Sequence, residues 1–313
     1  QERGGRDWAV ALAAVSAVAG TAAVVAIVRS AESRARRTLA AAAEVAAAEH
    51  SLAAHLAATF APDVELLPFP FGPKEALGFP RRCADLCARF AGAQASAVVL
   101  GCGAGASCFW LSRVGFDHVW GVDKSPLNIC VAEEIRDRGN RRYRVAEEGG
   151  RFVDCEASVP EGAEPSRVHF ITGDAESLDE RLGSYSAVLC ANLLSHLSRP
   201  RALLDRLPSL VESGGVCVLV TPYHRKPNGR ESGDAPKEER AGGANDEGEG
   251  EGEEESDEEG RAIVASKWAL ARYMSRQLKF ELEAEFEMPY LERVCARRYT
   301  YIVSHATVWK KPV

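Results

Sequence analysis

The sequence predicts an α/β fold of Rossmann-like type: a mostly parallel seven-stranded sheet, helices on both faces and an antiparallel edge strand. Three observations predict it. Val98-Val99-Leu100-Gly101-Cys102-Gly103-Ala104-Gly105 reads as a buried strand running into a glycine-rich turn and a helix. Val119-Trp120-Gly121-Val122-Asp123 reads as a second buried strand that ends in an acid. Strands then keep alternating with helices as far as Thr221, the pattern of a parallel sheet covered on both faces.

Taken in order, Lys74 to Ala91 has helical apolar spacing, with Leu86 and Phe90 on one face. Ala97–Leu100 is the first strand and Gly105–Val114 its helix. Asp117–Val122 is the second strand. Ser125–Arg138 is a helix, with Ser125 as N-cap and Pro126 at the first helical position. Arg141 to Pro165 is polar and reads as an excursion. Arg167–Thr172 is a third strand, followed by Gly173-Asp174-Ala175, and Tyr185–Cys190 a fourth. Pro200–Val211 is a helix, and Gly214-Gly215 turns into a fifth strand, Val216–Thr221. Ile263–Leu278 is helical. Phe280–Met288 and Tyr299–Trp309 are two last strands, antiparallel to each other.

Composition narrows the function. The chain has 313 residues, 46% of them hydrophobic, and a net charge of −7. Ten acids and no bases lie in residues 245–259, so the remainder sums to +3. That near-neutral body carries no basic stripe, which argues against nucleic acid as a partner. The Gly/Glu/Asp-rich stretch within 225–262 has too few apolar residues to fold and reads as a disordered acidic insertion without a dedicated partner. The nine cysteines fall mostly in apolar runs, as reduced thiols do, and Cys83 and Cys87 have no second pair at zinc-ligand spacing, so no metal is expected.

Trp8 through Val28 holds no charge over 21 residues, about the length of a membrane span, and Arg29, Arg34, Arg36 and Arg37 follow. The expectation is a single-pass anchor with the rest of the chain on the cytoplasmic side. The alternatives are a removed leader and an organelle-targeted soluble protein. Residues 31–58 continue as an Ala-rich helical stalk, broken by Ala61-Pro62, so residues 1–60 are set apart from a domain over 61–313.

The glycine turn and Asp123, 22 residues after Gly101, suit either a dinucleotide or S-adenosylmethionine. The later chain decides. The glycine loop, the acid ending strand two, Gly173-Asp174-Ala175 after strand three and Leu189-Cys190-Ala191-Asn192 on strand four together resemble a class I S-adenosylmethionine-dependent methyltransferase. The resemblance implies a cofactor site built from Gly101, Cys102, Gly103, Gly105, Asp123, Lys124, Asp174, Ala175 and Asn192. Asp123 would hold the ribose and Asp174 the adenine side. Where that family has an acid two residues before the first glycine, this chain has Val99.

A closer resemblance covers roughly residues 79–313. Phe79-Pro80-Arg81-Arg82-Cys83-Ala84-Asp85-Leu86-Cys87, Ala191-Asn192-Leu193-Leu194, Thr221-Pro222-Tyr223, and Pro289-Tyr290 through Thr307-Val308-Trp309 are similar to the ovothiol-type 4-mercaptohistidine N1-methyltransferase, the C-terminal domain of 5-histidylcysteine sulfoxide synthase. The iron-dependent synthase part of that family has no counterpart here, and the acidic insertion replaces its Trp-Leu-Gly-Gly loop. The resemblance implies N-methylation of a small imidazole thiol. Asn192, Tyr223 and His196 are the candidate catalytic residues, with His196 as proton acceptor. Arg293, Arg297 and Arg298 are the candidates for the substrate carboxylate, matched by arginine's planar fork. Two other readings are a methyltransferase for a different small molecule and a non-catalytic membrane-anchored module that keeps the fold.

Overall fold

The computed structural model describes residues 48–224 and 258–313. The uncharged run 8–28 and the acidic residues 225–257 lie outside these. Ala53–Val313 forms one compact unit.

A helical segment ends at residue 60, and a short helix, Asp63–Leu66, follows the Pro62 break. The helix expected from Lys74 is in two pieces. Lys74–Ala76 is a single 3₁₀ turn, and Gly78, at φ +64°, separates it from α1 (Phe79–Phe90). Pro80 sits in the first turn of α1, where its missing N–H costs nothing. The chain continues with β1 (Ser96–Leu100), α2 (Ala106–Arg113), β2 (His118–Asp123) and α3 (Pro126–Arg138). Ser125 caps α3 by accepting a hydrogen bond from Asn128 N–H (3.3 Å).

The polar stretch after α3 is not an irregular excursion but a hairpin, β3 (Asn140–Ala146) with β4 (Phe152–Ser158), in a two-stranded sheet of its own. Alternation explains it. Tyr143, Val145 and Ala157 are buried, while Arg142 and Arg144 between them point outward and give the segment its polar look. Next come β5 (Val168–Thr172), β6 (Tyr185–Ala191), α4 (Pro200–Leu210) and β7 (Val211–Thr221). The helix expected over Ile263–Leu278 is also divided. A turn closes the segment 258–263, and Ser266 caps a new helix, α5 (Lys267–Arg276), accepting from Ala269 N–H (3.2 Å). β8 (Glu281–Cys295) and β9 (Arg298–Lys310) complete the chain.

The main sheet has seven strands in the order β5-β2-β1-β6-β7-β9-β8. β5, β2, β1, β6 and β7 are parallel, and β9 runs antiparallel to both of its neighbours. Buried side chains of β1, β6, β7 and Trp309 pack on one face against α4, the 258–264 segment and α5. Leu203, Leu204, Leu207 and Leu210 of α4 are fully buried, and such burial stabilises by about 1.5–3 kcal/mol per side chain.

Strand order reverses between β1 and β6, and the crevice beyond the C-terminal ends of such strands is where open α/β sheets bind ligands. The β8–β9 hairpin reaches past this edge. β7 ends at Thr221 opposite His305, and β8 and β9 go on pairing from Met288 and Ser304 to Cys295 and Arg298.

Candidate active site

At the end of β1 the chain turns back on itself. Gly101 and Cys102 both donate their N–H to Val122 O (2.8 and 3.0 Å), which ties the turn to β2. Gly101 and Gly103 have φ of +69° and +55°, backbone that L side chains adopt only with strain. Gly105 is needed for packing as well: a Cβ there would lie 2.5 Å from the Phe170 ring. Cys102 is buried, and its thiol is pushed well above the ordinary value chiefly by that burial. It is a wall of the loop, as a small apolar residue would be.

Asp123 holds the two halves of the loop together. Its Oδ2 accepts from Gly103 N–H (2.8 Å), and its Oδ1 accepts from Ser125 N–H (2.9 Å) and from Asn128 Nδ2 (3.1 Å). A carboxylate has about four acceptor positions, so capacity for a further donor remains on Oδ2. Gly173 N–H donates to Asp123 O, which brings the end of β5 alongside (3.0 Å). There Asp174 accepts from Glu176 N–H (2.9 Å) and pairs with Lys124 (3.2 Å). These contacts, the backbone hydrogen bond first, hold its carboxyl below the ordinary aspartate value. Ala175 is buried in the core behind it. All the expected cofactor residues from Gly101 to Ala175 therefore meet at the ends of β1, β2 and β5.

His55, which the sequence reading did not single out, joins them. The helical segment that ends at residue 60 is not a stalk over its last turns. It buries Leu56 and Ala57, and Phe60 meets Phe109 edge-on at 6.3 Å. The imidazole fills the hollow above Gly103, where a Cβ would lie 2.2 Å from its Nε2. Burial lowers the His55 pKa, against the pull of Asp123, so the ring is neutral and Nε2 accepts from Ala104 N–H (3.4 Å). The helical spacing of Ala53, Leu56, Ala57 and Phe60 is the signal that this face is covered.

Asn192 follows β6 in the left-handed region, φ +52°. Its N–H donates to Val220 O (2.7 Å), and its side-chain oxygen accepts from Ser304 Oγ (2.7 Å) on β9. Tyr223, after β7, is also left-handed, φ +55°. Its hydroxyl lies 2.8 Å from His305 Nδ1, and His305 Nε2 lies 3.3 Å from a Glu285 carboxylate oxygen. Burial first, then Glu285 and Glu287, pushes the Tyr223 phenol up. Adjacent residues of β9, Ser304 and His305, thus hold Asn192 and Tyr223. His196 is exposed at the end of a 3₁₀ turn, Leu194–His196. Ser304, His305 and Glu285 were missed as site residues. Ser304 and His305 directly precede the Ala306-Thr307-Val308-Trp309 ending, which was the available signal.

The three arginines sit elsewhere. Arg293 and Arg297 do not share one extended strand, because the β8–β9 turn falls between Cys295 and Arg298. Arg293 pairs with Glu147 and also donates to Glu65 O (3.0 Å), while Arg297 pairs with Glu148. These two acids lie at the turn of the β3–β4 hairpin. Both line a cavity of about 1110 Å³ together with Phe69, Cys155 and Glu156. Arg298 is exposed at the start of β9.

The residues present fit S-adenosylmethionine: a turn of positive-φ glycines without side chains, a loop-clamping carboxylate with spare acceptor capacity, and a second acid at the neighbouring strand end. A strand-and-helix layering of this order with such a loop defines the nucleotide-binding α/β class.

A family model described as a methyltransferase domain matches residues 77–276, well over half of the chain, and the chain belongs to that family. It is an S-adenosylmethionine-dependent methyltransferase. Among solved structures it is similar to magnesium protoporphyrin IX methyltransferase from Synechocystis PCC 6803 with bound SAM, at 15% identity and a TM-score of 0.41, covering 76% of this chain and 83% of that one. It is also similar to CcbJ methyltransferase from Streptomyces caelestis, at 23% identity and a TM-score of 0.36, covering 49% and 55%. A third is CalS10, an amino pentose methyltransferase from Micromonospora echinaspora, at 23% identity and a TM-score of 0.32, covering 46% and 50%. The chain thus spans about half the length of the last two. No curated protein matches it.

Proposed function

We propose that this enzyme methylates a small molecule, and that the acceptor is a ring nitrogen of an imidazole thiol, 4-mercaptohistidine in the ovothiol-type reaction. One observation supports the reading most. The four sequence segments similar to that family, far apart in the chain, interlock at one end of the sheet. Arg82 of α1 donates to Pro289 O and lies 3.2 Å from Met288 Sδ. Phe79 packs on Tyr290 at 5.2 Å, Asn192 bonds Ser304 and Tyr223 bonds His305.

Bound S-adenosylmethionine supplies a methyl group on a sulfonium, open to in-line displacement. The chain's task is then to hold the acceptor in line and to exclude water, an advantage that can reach about 7–11 kcal/mol. Asp123, the glycine loop and Asp174 fix the donor side. Asn192, at the strand end beside them, is the contact nearest the transfer. Arg293 and Arg297 pair with Glu147 and Glu148 at a cavity that Asn192 and Tyr223 do not line.

The test is to incubate the full chain with methyl-labelled S-adenosylmethionine and 4-mercaptohistidine, histidine or histamine, and to read products by mass spectrometry. A ring-methylated product from mercaptohistidine alone is expected. Cofactor binding without transfer to any of the three keeps the methyltransferase and removes this acceptor. For residues 8–28 we propose a single-pass anchor; a protein that stays soluble through a carbonate wash of membranes removes it. Among the described residues no helix is long and apolar enough to cross a membrane.

A further inference from the structure

We infer that Tyr223, His305 and Glu285 form a proton relay at a small acceptor subsite between α5 and the β8–β9 hairpin, so that the acceptor is one whose nucleophilic atom sheds a hydrogen: an azole N–H, a hydroxyl or a thiol. The inference deepens the methyl-transfer reading and rests on it.

Three observations carry it. The chain has one consistent donor order: Tyr223 O–H donates to His305 Nδ1 (2.8 Å), and Nε2–H then faces the Glu285 carboxylate (3.3 Å). This is the arrangement in which a carboxylate orients an imidazole as base. A cavity of about 130 Å³ opens onto all three residues, similar in size to an engineered cavity of ~150 Å³ that accepts benzene. Its wall carries Lys267, a cation for an anionic group on the acceptor, and Trp268, which is 75% exposed and has its ring 4.9 Å from the Lys267 ammonium. Finally, Tyr223 is held at φ +55°, a strain of about 1–3 kcal/mol of the kind that clusters at functional sites. Tyr223 follows β7, whose neighbour β6 is followed by Asn192, so Tyr223 stands on the ligand-binding edge of the sheet.

The balance is simple. The acceptor atom gains the methyl carbon and loses its hydrogen as a proton to Tyr223 Oη. The phenolic proton passes to His305 Nδ1, and the imidazolium is held by Glu285, with Glu287 also near the phenol. The bonding pair of the broken carbon–sulfur bond stays on sulfur. Tyr223 is the catalytic residue, and His305 and Glu285 are positioning residues.

The experiment has a binding arm and a turnover arm on the full chain. In the presence of S-adenosylhomocysteine, imidazole and 4-mercaptohistidine are each titrated while Trp268 fluorescence and the His305 ring resonances are followed. A saturable response is expected, its His305 arm weakened in Lys267→Ala and retained in Arg181→Ala. If neither probe perturbs Trp268 or His305, the subsite is overturned, whatever the protein methylates. If a probe binds there but mercaptohistidine is not methylated, the subsite stands and the mercaptohistidine reading falls. Where transfer occurs, Tyr223→Phe should lower kcat by about 10²-fold or more with KM little changed. His305→Gln should likewise lower kcat with KM little changed, because the phenol loses the nitrogen that takes its proton. Unchanged kcat in Tyr223→Phe or in His305→Gln overturns the relay. Glu285→Gln separates the relay from a structural role: fold stability and KM are kept while kcat falls.

Discussion

The donor end and the acceptor end of this site are built in different ways. At the donor end, Asp123 bonds Gly103, 20 residues away, and Ser125, two away; both partners contribute backbone N–H groups. At the acceptor end the bonds are between side chains and join distant parts of the sequence: Tyr223 to His305 across 82 residues and Asn192 to Ser304 across 112. A local, backbone-made site depends on glycine conformations and one carboxylate. A non-local one depends on the whole β8–β9 hairpin reaching the right register.

That contrast is sharpened most by Asp123→Ala. The loop loses its clamp and the cofactor a hydrogen-bonded carboxylate, each charged hydrogen bond being worth about 1.5–3 kcal/mol. Calorimetry should show S-adenosylmethionine affinity at least about 100-fold weaker; unchanged affinity would break the account of the donor end. Gly103→Ala comes next. Its Cβ collides with His55 and its φ is unfavourable, so unfolding in urea should show a loss of roughly 2 kcal/mol. In a His55→Ala background the same change should cost only the backbone strain, about 1 kcal/mol, because the colliding ring is gone.

At the tip of the β8–β9 hairpin, Arg293→Ala leaves Glu147 without its cation in a half-buried setting. A destabilisation of about 1–2 kcal/mol is expected by thermal unfolding. Ser304→Ala should lower turnover a few-fold with cofactor affinity unchanged, since it frees only the Asn192 side chain. The smallest effect is that of Asp174→Asn. A carboxyl held below its ordinary value of 3.8 stabilises the fold above that pH and loses the contribution as pH falls through the lowered value. The variant should therefore melt slightly below the parent at pH 7, and the gap should close as pH falls well below 3.8. A gap that persists there would mean the contact is not electrostatic.

The same contrast explains what could be read from the chain alone. Val98 to Gly105 and Val119 to Asp123 announce their strands and turn through local chemistry, and the sheet follows from that pattern. The β3–β4 hairpin was hidden because its outward arginines and acids outnumber Tyr143 and Val145. The separation of Arg293 from Arg297 was hidden because residue pattern does not reveal the turn after Cys295. His305 carried only its place just before the Ala306–Trp309 ending as a signal: its role comes from Tyr223 and Glu285, and sequence spacing does not report which side chains a hairpin brings against β7. His55 was passed over because alanine-rich spacing before a proline break reads equally well as a solvated helix.

The helical turns around His55 also change what counts as the enzyme. The stretch recognisable as a methyltransferase domain begins at residue 77, and the proline break suggests a start near 61. A chain cut at either place would lose Leu56 and Phe60 and leave Phe109 and the glycine loop bare to water. Residues 53–60 should instead behave as part of the domain's floor. Their amides should exchange with deuterium as slowly as those of α2, and a protease should spare the bonds between Ala53 and Phe60 for as long as the sheet is intact.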